Sequence, residues 1–146
     1  MNRIRPLVIC VFRHAGRILV TEASDPMKGN QVFYRPRGGG IEFGEFAVQA
    51  LAREMREEIN AEVANLRYLG TLENIFTFNG TPGHEIVLVY DGEFVDQTLY
   101  EREWIDGCEI EMDDQQFRNV WRPVEDFRTG TPPLYPDGLY ALIAAC

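Results

Sequence analysis

Glu54, Glu57 and Glu58 bring three carboxylates together in the short segment Arg53-Glu54-Met55-Arg56-Glu57-Glu58. Acidic side chains three or four residues apart on a helix are neighbours. Like charges at that spacing cost about a few tenths of a kcal/mol per pair unless something positive sits among them. A hard divalent cation meets that need, because Mg²⁺ prefers carboxylate and carbonyl oxygens and keeps several waters. The ordinary fate of such a run is a solvated acidic helix face, so the chemistry must be argued from a longer pattern.

That pattern begins in the glycines Gly38-Gly39-Gly40, whose freedom of backbone angle permits close approach to a ligand. It continues into a helix. At about 100° per residue, Val48, Leu51, Ala52, Met55 and Ile59 form one apolar stripe that should face a core. Glu54 and Glu58 fall on the edge of this stripe, with Glu57 slightly further round, at the boundary between core and solvent. A phosphate-binding P-loop is excluded: Gly39 and Gly44 have the required separation, but Glu45 stands where the lysine should be.

Gly39, Glu45, Arg53-Glu54 and Glu57-Glu58 follow the spacing G-x5-E-x7-R-E-U-x-E-E-x-G-U, with U aliphatic, and the segment therefore resembles the box of Nudix hydrolases. Met55 fills the first U position and Ala61 the last. One position departs, since Asn60 stands where the family has glycine. Asn is the next most tolerant residue of the left-handed conformation that ends a helix there. The resemblance implies an α/β fold, a Nudix-type α/β/α sandwich with a mixed β-sheet, formed by residues 1–146 as one domain. It also implies Mg²⁺ as cofactor, with Mn²⁺ as the alternative, and cleavage of a diphosphate linked to another group. By position, Glu54, Glu57 and Glu58 correspond to the metal-binding carboxylates, joined by the backbone carbonyl of Gly39. Glu45 and Arg53 correspond to a supporting pair, suited to a bidentate contact. Glu54 is a candidate general base. A further carboxylate from the later acidic stretch is implied, and Glu109, Glu111, Asp113 and Asp114 are left undecided.

Composition fits this reading. The chain has 146 residues, 45% of them hydrophobic, enough for one domain with a core. Its formal charge of −9 argues against a protein that grips long nucleic acid. A small phosphorylated nucleotide is compatible with that charge, because a metal can bridge it to the carboxylates. Arg35 and Arg37, just before the glycines, could touch substrate phosphate or be ordinary surface arginines. No apolar stretch is long enough to span a bilayer, and the N-terminus offers no usable signal-peptide cleavage site, so no membrane partner and a cytoplasmic location are expected. A homodimer is left open. Cys10, Cys108 and Cys146 are too widely spaced to suggest a disulfide framework or a zinc site, and with only His14 and His84 a histidine-rich metal centre is not expected.

The elements that must position these groups read as follows. Pro6 to Phe12 and Ile18 to Glu22 form a hairpin, Ser24 to Asn30 an exposed loop, and Gln31 to Tyr34 a short strand into the glycines. After the helix, Leu66 to Leu72 and Asn74 to Phe78 read as two strands, followed by a turn at Asn79 to Gly83. His84 to Val95 is the longest strand candidate and is expected to be central in the sheet, with His84 and Glu85 polar at its mouth. Asp96 to Asn119 reads as acidic and irregular, Val120-Trp121 as a strand end before a helical turn, and Asp137 as the cap of a terminal helix over 139–145. Phe33, Tyr34, Phe43, Phe76 and Phe78 could stack on a base or fill the core.

Substrate identity lies outside the box, and nucleoside triphosphates, nucleotide sugars, ADP-ribose and dinucleoside polyphosphates all remain candidates. The alternative is a Nudix-fold module that binds or senses a nucleotide without turnover. Against it, the three carboxylates are intact. An acidic domain that binds metal or a partner without catalysis is the third possibility.

Overall fold

A computed structural model describes residues 2–109 and 115–145. Eight strands join in one mixed sheet: β1 (Ile4–His14), β2 (Arg17–Asp25), β3 (Gln31–Arg35), β4 (Gly38–Gly40), β5 (Val63–Phe78), β6 (Thr81–Phe94), β7 (Trp104–Glu109) and β8 (Gln115–Pro123). The main path runs β5-β6-β1-β2-β8-β7, with β3 paired to β2 and β4 to β1. β1 is parallel to β6 and antiparallel to β4 and β2. Among the described residues two α-helices, α1 (Ala47–Ile59) and α2 (Leu139–Ala144), lie on opposite faces.

The alternation of β1 builds both layers at once. Val8, Cys10 and Phe12 point to one face, where they pack with Leu51, Met55 and Ile59 of α1. Leu7, Ile9 and Val11 point to the other, against Leu139 and Ile143 of α2. Period-two side chains in a strand buried on both sides require this continuous apolar reading. The expected α/β/α sandwich with a mixed sheet is what the chain forms.

Two short turns set the register of the hairpins. Ala15-Gly16 has φ of 52° and 76°, and Asn79-Gly80 has φ of 49° and 78°. Positive φ at both central residues matches the right-handed twist of the flanking strands, which is why Gly follows in each case.

Several expectations from the sequence are corrected. β5 is one strand through Val63–Phe78, because register shifts between Ala64/Arg67 and Tyr68/Gly70 absorb the break in its pattern. β6 lies one strand in from the sheet edge rather than at its centre. β2 continues to Asp25, which is buried and accepts from the backbone N–H of Met27 and Asn79, so the expected loop is only a short 3-10 turn, Pro26–Lys28. The stretch read as irregular contains a 3-10 turn, Gln97–Glu101, and the hairpin strands β7 and β8. Asp137 does not cap α2: Gly138 occupies the cap position with φ 88°, and no side-chain bond is made there.

Candidate active site

α1 is started by a reciprocal contact, in which the backbone N–H of Phe46 donates to Gln49 Oε1 at 2.8 Å. It is stopped by Asn60, at φ 52° and ψ 43°, with the N–H of Ala61 reaching back to the carbonyl of Met55. This is the left-handed termination that Asn tolerates in place of glycine. The helix turns Ala50, Leu51, Glu54, Met55, Glu58 and Ile59 inward, while Val48 is exposed. Glu54 and Glu58 are therefore buried side chains rather than boundary ones, each at 6% exposure.

The strand β4 closes over them. A Cβ on Gly38 would lie 1.9 Å from the carbonyl oxygen of Val8, and one on Gly39 would lie 2.3 Å from the Glu54 carboxyl carbon. Only glycine lets this backbone lie against both β1 and a carboxylate.

Two arginines flank the carboxylates. Arg53 forks onto Glu45, with Nε to Oε2 at 2.8 Å and Nη2 to Oε1 at 2.9 Å. It also donates to the carbonyl of Gly40 at 3.1 Å, to Glu54 at 3.0 Å and to Glu57 at 3.3 Å. One guanidinium thus ties helix, loop and glycine strand together. These hydrogen bonds, with one from the Glu42 N–H, hold the Glu45 carboxyl down at about 2. Glu54 is displaced the other way: burial raises it, and hydrogen bonds with Glu58 and Arg53 only partly oppose the effect.

Arg37 is no surface arginine. Its Nε and Nη2 meet the two oxygens of Glu58 at 3.3 Å and 3.1 Å, and its guanidinium lies 3.8 Å from the centre of the Phe117 ring. Arg35 ends β3 opposite Thr21 and is half-buried. Of the aromatic candidates, Tyr34 is a core residue bonded to Glu22 and Arg122, and Phe33 packs edge-on to Phe78 and Tyr135. Phe76 lies against Gly83, while Phe43 is fully exposed. Glu85 is buried beside Asn74, and so belongs to the sheet rather than to its mouth. Glu111, Asp113 and Asp114 lie outside the described residues, as does the side chain of Glu109.

Phe117 is a contributor that the sequence reading missed. It faces Gly107 across the β7–β8 pair, where a Cβ would come within 2.3 Å of the ring. The alternation Phe117, Asn119, Trp121 was the available signal, obscured by the acidic residues before it.

Among the described residues, no three Asp, Glu, His or Cys side chains converge as a ready-made metal cage. Glu57 is turned toward Arg53 instead. The donor chemistry nevertheless fits a hard divalent cation. Two buried carboxyls, Glu54 and Glu58, contact each other beside a backbone held close by Gly39, and burial resists their carrying charge unaided.

A family profile described as the NUDIX domain matches residues 1–144. The chain belongs to the NUDIX family of hydrolases. Nudix enzymes generally use a divalent metal. The NAD-capped RNA hydrolase NudC of Pseudomonas aeruginosa is 29% identical over 101 residues, covering 69% of this chain but 33% of that protein. The NudC of Vibrio vulnificus is 36% identical over 69 residues, covering 47% of this chain and 25% of that one. The matched segment is thus a third or less of either relative's length. Among solved structures, a MutT NUDIX hydrolase from Burkholderia pseudomallei superposes with a TM-score of 0.67 at 21% identity, covering 99% of this chain and 100% of that one. A NUDIX hydrolase from Nitrosomonas europaea gives 0.64 at 18%, covering 97% and 87%. These likenesses carry the fold.

Proposed function

We propose that this Nudix hydrolase is a Mg²⁺-dependent pyrophosphohydrolase that cleaves the diphosphate of a nucleoside diphosphate linked to another moiety. The observation that carries the reading is the buried Glu54–Glu58 pair, with Glu54 packed on the Gly39 backbone. Glu54, Glu57 and Glu58, with the Gly39 carbonyl, are the groups assigned to hold the metal, and Mn²⁺ would suit the same oxygens. When bound, such a cation neutralises diphosphate charge and makes a water acidic enough to attack phosphorus. Arg53 and Glu45 keep helix and glycine strand at fixed separation through their forked contact. Glu54, whose carboxyl burial has raised, is assigned to accept the water's proton. Arg35 and Arg37 are assigned to the substrate phosphates.

Residues 1–146 are read as a single Nudix domain, supported by one sheet that contains every described strand. A cytoplasmic setting is part of the same proposal. Likeness to the NAD-capped RNA hydrolases NudC adds an NAD-capped end to the candidate substrates, whereas a charge of −9 speaks against a grip on the rest of an RNA.

The test is nucleotide or phosphate release from nucleoside triphosphates, nucleotide sugars, ADP-ribose, dinucleoside polyphosphates and NAD, with Mg²⁺ and then with chelator. Chelator-sensitive cleavage of one class supports the reading and begins to name the substrate. Folded protein that binds Mg²⁺ but cleaves nothing would instead be a nucleotide sensor.

A further inference from the structure

Glu54 and Glu58 are buried to the same degree, yet their arginines are held very differently. Arg53 gives Glu54 only its Nη1, shared with Glu57, and spends the rest of its fork on Glu45 and the Gly40 carbonyl. Arg37 places Nε and Nη2 against both oxygens of Glu58. The Glu58 side chain is 5% exposed and that of Arg37 is 11%, so the pair is largely withdrawn from water. The backbone beneath it is fixed, because the carbonyl of Arg37 accepts from the Cys10 N–H at 3.0 Å. The side chain, by contrast, rests on the flat face of Phe117, a contact that a guanidinium can slide across or leave. A carboxylate engaged by a fork on both oxygens cannot also give its charge fully to a dication, and two positive groups at one carboxylate repel strongly where water is scarce.

We propose that Arg37 is the counter-ion of Glu58 in the metal-free enzyme and exchanges partners when the metal centre fills, moving its guanidinium to a phosphate oxygen of the substrate. The proposal rests on the metal-centre reading above. Arg37 then has two roles that follow each other: it keeps a buried carboxylate neutralised in the empty site, and it contributes a positive charge to the loaded one. No bond is made or broken in the exchange. Its consequence is coupling: metal and phosphorylated substrate each favour the arrangement that the other requires.

The competing account makes Arg37 a prop that holds Glu58 in position for the metal. The two accounts predict opposite signs. Mn²⁺ binding to substrate-free protein, followed by electron paramagnetic resonance, should tighten about fivefold or more in Arg37→Met if a competing charge has been removed. In the same variant KM for the cleaved substrate should rise more than kcat falls. Unchanged or weaker Mn²⁺ binding in Arg37→Met overturns the exchange and leaves the prop. Should that variant fail to fold, the wild type still decides: the Arg37 Nε–H resonance, assigned by its loss in Arg37→Lys, should lose its hydrogen-bonded downfield position and exchange faster with water on saturation with Mg²⁺. A resonance that stays downfield and slow to exchange at saturation overturns the proposal. If the wild type binds neither metal while remaining folded, the metal-centre reading itself falls, and the exchange with it.

Discussion

The two faces of β1 are built from the same strand and do opposite things. On the α2 face, Leu7, Ile9 and Val11 meet Val87, Val89, Leu139 and Ile143 in an apolar layer. On the α1 face, Val8, Cys10 and Phe12 meet a helix that carries Glu54 and Glu58 into the same buried layer as Leu51 and Met55. An apolar layer gains from every methylene removed from water, at about 25 cal/mol per Å². A layer that also buries carboxylates surrenders part of that gain to desolvation and must recover it through arginines. The α2 face therefore carries stability, and the α1 face gives some of it up to hold charged groups where water is scarce.

That contrast can be broken. The largest effect is expected from Glu58→Gln, which removes the charge but keeps the shape. Turnover should fall by about 10³-fold or more if that charge holds the metal. The amide still accepts from Arg37, so the loss of stability in a urea melt should stay near 1–3 kcal/mol. Retention of most activity would show that the metal assignment is wrong. Leu139→Ala should do the reverse. It hollows out a fully buried position on the α2 face and should cost about 2–5 kcal/mol, with turnover per folded molecule nearly unchanged. A large drop in its specific activity would mean that the faces are not separable.

Gly39→Ala sharpens the comparison from the glycine side. Its new Cβ would fall 2.3 Å from the Glu54 carboxyl carbon, so strand and carboxylate must part. A displacement of about 1 Å in the reacting groups costs roughly 10²-fold in rate, and steady-state kinetics should show a loss of that order with a smaller change in stability. Activity within a few-fold of wild type would remove the close approach from the argument.

The smallest effect concerns pH. Glu45 keeps its charge in the folded protein down to about 2, against 4.5 for a free side chain. Because the folded-state value is the lower one, its contribution is present in full above 4.5 and is lost as pH falls from there toward about 2. The stability difference between wild type and Glu45→Gln should shrink across that window. A difference that stayed constant would show that Arg53 does not hold Glu45 as drawn.

The parts of this arrangement that were legible in the sequence are those encoded locally. The apolar run of β1, the amphipathic helix after the glycines, the left-handed stop at Asn60 and the turn that opens at Asn79-Gly80 each follow from a few adjacent residues. The forked Arg53–Glu45 contact was also expectable, since eight residues of loop and helix bring the two together. What could not be read depends on partners distant in sequence. Arg37 finds Glu58 across 21 residues, and its ring platform, Phe117, arrives from β8. Glu54 and Glu58 were read on the edge of the helix stripe and Val48 within it, yet both carboxylates are buried and Val48 is not, because Arg37 from outside the helix and Arg53 within it make that burial tolerable. Of β8 only the end at Val120-Trp121 was read as a strand; β7 and the start of β8 escaped notice because Asp106 and Arg118 face outward from a strand pair whose described inward positions, Ile105, Gly107 and Phe117, are few.

Bonding of β1 to β4, β6 and β2 also bears on how the molecule can move. A strand that forms the floor of both layers cannot loosen on one side without disturbing the other. Local opening is therefore expected outside the Arg53 tether, on the loop to α1 with its exposed Phe43 and Phe46, while β4 stays with β1.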